Sequence, residues 1–172
     1  MTADIINIIS HNHGDDNDVV QDYYNQALEV VPPSATSQKA VYYSNRAACY
    51  MRQEEYSLAL IDCSAALDLN PSYVKALLRR ATAYEALEDF EKALVDVQKV
   101  IQELDPTNSS ATEILARVEP KAMAKREELK EEMIGKLKEL GNTVLGKFGL
   151  SLDNFKAEKD PASGSYSIKF QQ

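Results

Sequence analysis

Two cysteines, two histidines and six glycines are all that 172 residues offer to the chemistries that depend on them. Two cysteines cannot form the disulfide framework of a small secreted domain. The opening "MTADIINIISHNHGDD" has an acid at Asp4 and no basic leader, unlike a secretory signal. Both thiols therefore read as reduced, in a cytoplasmic protein. His11 and His13 form an H-x-H with no cysteine or acidic cluster at ligand spacing, so no metal site is expected. The chain has no glycine-rich phosphate loop and no nucleophile elbow, so neither an enzyme nor a cofactor is expected. No apolar run approaches the ~20 residues of a membrane helix, so no membrane insertion is expected. A net charge of −8 argues against a general affinity for nucleic acid.

What the chain does have is an internal repeat. Ala47, Tyr50, Ala59 and Ala66 recur at a constant offset of thirty-four as Ala81, Tyr84, Ala93 and Val100, and that is the period of a tetratricopeptide repeat, a pair of helices A and B. Small residues let the two helices approach, tyrosines fill the space between them, and Pro71 ends the unit where the chain must turn. Repeat two is placed at 40–73 and repeat three at 74–107. Pro106 stands thirty-five positions after Pro71, so repeat three carries one extra residue near its end. Repeat one, about 1–39, is less regular. "VVQDYYNQALEVVPP" reads as its helix B, with Ala27 and Pro32 lying thirty-nine positions before Ala66 and Pro71. In its helix A, however, Ile8 stands where tight packing asks for the small Ala47 or Ala81.

The expected fold class is all-α, a tetratricopeptide repeat solenoid of antiparallel helix pairs over 1–108. It continues into a capping and extended helix over 109–146 and an appendage with a small β-hairpin over 147–172. The helix is predicted from "SSATEILARVEPKAMAKREELKEEMIGKLKELGNTVL", with a serine cap and a kink or break at Pro120. It carries an apolar 4-3-4 spacing through Met133, Leu137, Leu140 and Val144, with Glu132 and Lys136 paired on the outer face, and is long enough to close the core of the stack and extend beyond it. Tyr166, Ile168 and Phe170 alternate with polar residues after the turn-rich "DPASGS". This predicts a hairpin from about Phe155 to Phe170, folded onto the helix through Phe148, Leu150 and Phe155.

The stretches "YYSNRAACY…YSLALIDCSAALDLNP" and "YVKALLRRATAYEALEDFEKALVDVQKVIQELDP" resemble the carboxylate-clamp class of tetratricopeptide domains found in chaperone adaptors. The tail "LKEEMIGKLKELGNTVLGKFGLSLDNFKAEKDPASGSYSIKF" is similar to the tetratricopeptide repeat protein 1 family. Together the resemblance covers roughly residues 18–170. It implies a non-catalytic adaptor that docks the acidic C-terminal peptide of cytosolic heat-shock chaperones and also engages GTP-binding signalling proteins; a monomer is expected. The alternative is a scaffold whose partner docks on the C-terminal helix and hairpin while the clamp stays idle.

The clamp can also be argued from the residues. Lys75 and Arg79 are four apart on helix A of repeat three and share a face, where two cations repel unless an anion lies between them. Asn45, on helix A of repeat two, can donate its amide to the same anion. The bland alternative is a solvated pair. Asn45, Lys75 and Arg79 match the family's second-repeat asparagine and third-repeat lysine and arginine. The family also supplies a lysine and an asparagine from the first helix, and here those positions are Ile5 and Ile9. Either the clamp is a partial one or the true first helix is missing from this chain. Arg46 and Arg80, one step further round, are expected to pack their stems against neighbouring helices. Cys49 and Cys63 read as core filler.

Overall fold

A computed structural model describes residues 17–159 and 166–170. The chain divides into two compact units, Met1–Ala122 and Met123–Gln172. In the first, five helices follow one another: α1 (Asn17–Val30), α2 (Thr36–Arg52), α3 (Tyr56–Leu69), α4 (Val74–Ala86) and α5 (Phe90–Lys99). A sixth, α6 (Ser109–Gly146), begins in the first unit and ends in the second. The second unit also holds a 3-10 turn (Leu152–Asn154) and the strands β1 (Phe155–Lys159) and β2 (Tyr166–Phe170). The fold is therefore a stack of helices with a small antiparallel sheet at its C-terminal end. The irregular first helix expected over residues 1–13, with Ile5, Ile8 and Ile9 and the two histidines, lies outside the described residues.

The alanines that mark the repeat are what let α2 and α3, and then α4 and α5, come together. Ala47, Ala59, Ala66, Ala81 and Ala93 are all fully buried, and a larger side chain at any of them would force the helices apart. Leu77, Val97, Val100 and Val118 fill the main core, each stabilising the fold by about 1.5–3 kcal/mol relative to an exposed side chain. Tyr43, Tyr73 and Tyr84 pack on its margin, with Tyr50 on that of the smaller cluster. Each helix pair turns the same way. Glu54 after α2 and Glu88 after α4, one period apart, both take left-handed backbone angles, φ 60° and 59°. The amides that follow them, of Glu55 and Asp89, donate back to the carbonyls of Tyr50 and Tyr84 at 2.9 Å.

The extra residue of repeat three has a definite place. After Lys99 the helix loosens into a π-turn over Val100–Leu104, closed by Asp105 N donating to Val100 O at 2.7 Å. A π-turn takes one more residue than an α-turn to cover the same rise. Val100 keeps its place in the core and the surplus is absorbed on the outer side, where Gln102 and Glu103 are exposed.

Two expectations for the C-terminal part are corrected. The cap of α6 is Asn108 rather than a serine, its Oδ1 accepting from Ala111 N at 2.9 Å. Pro120 does not break α6, which runs through it as one helix. Pro120 costs the helix one bond to Ala116, but Val118 and Ala122 on either side of it are buried and hold the backbone in place. The core is closed by Ala111, Ile114, Val118 and Ala122 of α6, while Met133, Leu137, Leu140 and Val144 further along are exposed. Glu132 and Lys136 pair as expected, at 2.6 Å.

In the second unit the hairpin has the expected limits, with Phe155 opposite Phe170 and Lys159 opposite Tyr166. The two phenylalanine rings meet edge to face at 5.4 Å. The segment before it meets the helix through Leu152, not Phe148, which is exposed. Leu152 N donates to Asn142 Oδ1 at 2.6 Å, and a Cβ at Gly141 would sit 2.8 Å from Leu152 Cδ1. Glycine at 141 is what admits that close approach.

Candidate functional site

Asn45 and Arg79 occupy the same position of successive A helices, α2 and α4. Their side chains meet there. Arg79 Nη1 donates to Asn45 Oδ1 at 3.5 Å, to Ser44 Oγ at 2.6 Å and to the Ser44 carbonyl at 2.7 Å. Lys75, one turn earlier on α4, is exposed and pairs with nothing among the described residues. Lys75 and Arg79 both line a groove of about 460 Å³, whose other walls include Ala48 and Met51 of α2, Leu78 of α4 and Ile114 of α6. Two cations thus border a largely aliphatic groove, a surface suited to an acidic ligand with apolar side chains.

The structure departs from the sequence reading at Arg79. It is half-buried and already hydrogen-bonded, so the repulsion between stacked cations is relieved partly by Ser44 rather than by a ligand alone. Asn45 also lies close enough to Tyr24 of α1 to affect its phenol. Burial pushes the Tyr24 phenol up, the Cys49 thiol adds to this, and the polar Asn45 side chain draws it back.

Arg46 and Arg80 do more than pack their stems. Arg46 chelates Asp62 of α3, Nε to Oδ2 and Nη2 to Oδ1, both at 2.7 Å, and Arg80 repeats the geometry on Asp96 of α5. The aspartates are buried, 3% and 2% exposed, and the bond to the carboxylate raises each guanidinium above its ordinary pKa. The remaining prong of each reaches the preceding B helix, Arg46 Nη1 to Asn25 Oδ1 at 2.8 Å and Arg80 Nη1 to Ser64 Oγ at 3.3 Å. Sequence reasoning missed these pairs. Yet both arginines and both aspartates recur at the repeat period, and Asn25 precedes Ser64 by the longer step that the first turn imposes.

The thiols are not reactive groups. Cys49 and Cys63 are buried in the packing between helices, and burial pushes Cys63 up to about 12, so it stays protonated at neutral pH. No helix among the described residues is long and apolar enough to cross a membrane.

Helix pairs stacked at one constant period define a helical-repeat protein. Residues 40–73 match the tetratricopeptide repeat family. The chain is 40% identical over 97 residues to sperm-associated antigen 1 of Mus musculus and 42% over 98 residues to the mitochondrial import receptor subunit TOM34 of Homo sapiens. These matches take in 56% and 55% of this chain but span only 10% and 31% of those proteins. Among solved structures it is similar to the first tetratricopeptide domain of Spaghetti (RPAP3) bound to the HSP90 peptide SRMEEVD. There the TM-score is 0.57 and the identity 35%, covering 63% of this chain and 80% of that one. The chain belongs to the tetratricopeptide repeat family.

Proposed function

We propose that this chain is a non-catalytic adaptor of the cytoplasm that captures the acidic C-terminal peptide of a heat-shock chaperone. The observation that carries the reading is Arg79 meeting Asn45 at equivalent positions of adjacent helices, beside Lys75 at the rim of an aliphatic groove. Nε and Nη2 of Arg79 form no hydrogen bond among the described residues, and Lys75 adds a second cation. A terminal carboxylate is a fitting ligand for such a set. The similar domain of Spaghetti binds a peptide ending in two glutamates, valine and aspartate. Ile5 and Ile9 make this a partial carboxylate clamp.

Calorimetric titration with SRMEEVD tests the proposal. The wild-type chain binds, and Lys75→Ala and Arg79→Ala each lower the affinity about tenfold or more. Equal affinities for wild type and Lys75→Ala would overturn it.

A second reading rests on a different observation. Met133, Leu137, Leu140 and Val144 form an exposed apolar stripe on α6 in the second unit, and the tail resembles that of the tetratricopeptide repeat protein 1 family. On this reading the helix and hairpin carry a partner such as a GTP-binding signalling protein. Leu137→Asp would then abolish capture of that partner and leave the peptide affinity unchanged.

A further inference from the structure

We propose that Ser44 is a positioning residue for Arg79, fixing the guanidinium in the orientation in which it receives an anion. The inference rests on the peptide-binding reading above and assigns a role to a residue that does not touch the ligand. Ser44 is fully buried, and its side-chain oxygen and main-chain carbonyl converge on one nitrogen, Nη1, at 2.6 and 2.7 Å. A guanidinium held at one corner by two acceptors loses most of its rotamer freedom before any ligand arrives. Its planar fork then presents Nε and Nη2 as a pair matched to the two oxygens of a carboxylate.

The repeat itself separates this role from packing. The residue equivalent to Ser44 in the next A helix is Leu78, which packs against the main core. The fold thus accommodates an apolar side chain at that position. A serine is required only where the next helix brings an arginine alongside, and α4 does so with Arg79, the residue equivalent to Asn45. Asn45 Oδ1, at 3.5 Å, is the weaker of the two side-chain acceptors. Lys75 has no such anchor among the described residues and approaches the anion as a mobile point charge.

The test combines Ser44→Ala with Arg79→Ala in the full chain. Alanine fills nearly the same space and favours the helix, so the fold is kept. Two readouts are taken: the Nε–Hε NMR signal of Arg79 without ligand, and the dissociation constant for SRMEEVD. In Ser44→Ala the Arg79 signal should move to that of a freely rotating side chain. The affinity should fall about fivefold, as for one lost charge-assisted contact partly screened by solvent. In the Arg79→Ala background, Ser44→Ala should cost nothing further. An unchanged Arg79 signal, an unchanged affinity, or the same loss in both backgrounds would overturn the proposal. If the wild-type chain does not bind SRMEEVD, the chaperone reading fails. The hold of Ser44 on Arg79 is then still decided by the NMR signal alone.

Discussion

Arg46 holds Asp62 with two prongs of its guanidinium, each at 2.7 Å, and the carboxylate is only 3% exposed. Arg46→Ala leaves that carboxylate buried and unpaired. Breaking one side of a buried pair costs about 3–5 kcal/mol, and with Arg46 itself 19% exposed about 2–3 kcal/mol is expected here. Arg46→Met combined with Asp62→Leu, which removes both charges, should cost much less. Urea denaturation of the three chains measures the difference.

Acid should loosen the start of α6. Arg117 and Lys121 both pair with Glu85 at 2.8 Å, and chiefly the bond from Arg117 holds the Glu85 carboxyl below its ordinary pKa. A lowered carboxyl pKa contributes stability that is complete above the unfolded value, roughly 4.3, and is lost as pH falls through the folded value. The basic partners are about half exposed, so the contribution is about 1 kcal/mol. Glu85→Gln should therefore be less stable than wild type at pH 7, and the difference should shrink as pH falls below the ordinary carboxyl value, in urea melts across that range.

Glu54 and Glu88 hold left-handed angles that glycine adopts without strain. Glu54→Gly and Glu88→Gly should each raise stability by about 0.5–1 kcal/mol, the relief at the turn exceeding the entropy added to the unfolded chain. Thermal melting checks this, and a lower melting temperature would contradict it.

The two cations of the site should differ in what they do for the fold. Lys75 has no partner among the described residues, so Lys75→Ala should leave the melting temperature within error. Arg79→Ala removes three hydrogen bonds around buried Ser44 and should cost about 1–2 kcal/mol. Both variants should lose peptide.

The π-turn makes one residue dispensable. Deleting Gln102, which is exposed, lets Val100–Leu104 close as an ordinary α-turn and should change stability by no more than about 1 kcal/mol. Deleting Ala65 in α3 rotates Ala66 and Leu67 out of the core and should unfold the repeat. Circular dichroism on the two deletions separates these outcomes.

The parts of the fold legible in the sequence were those governed by steric repetition. Alanine at 47, 59, 81 and 93 announced the helix pairs because nothing larger fits, and the lengthened step to Pro106 announced the surplus residue. The hairpin followed from its period of two. Pro120 did not break the helix because the buried Val118 and Ala122 beside it override its local propensity. At Met133 and Val144 helical periodicity says that a face exists but not that something covers it. At the site, the shared register of Asn45 and Arg79 made their proximity legible. The role of Ser44 was not, because a serine inside a helix carries no signal until the arginine that meets it is placed.

The arginine that joins each A helix to the B helix before it stops after repeat three. One period beyond Arg80, counting the surplus residue, stands Leu115, which packs against the core, and Gln98, at the position of Asn25 and Ser64, is exposed. The stack is thus punctuated chemically. A charged stitch means that another repeat belongs here, and an aliphatic residue in its place ends the series. Lengthening the array with a further repeat would require arginine at 115 and an aspartate beyond it, at the spacing that separates Arg80 from Asp96. Without them, an inserted helix pair would lack the polar coupling that ties repeats two and three to their neighbours.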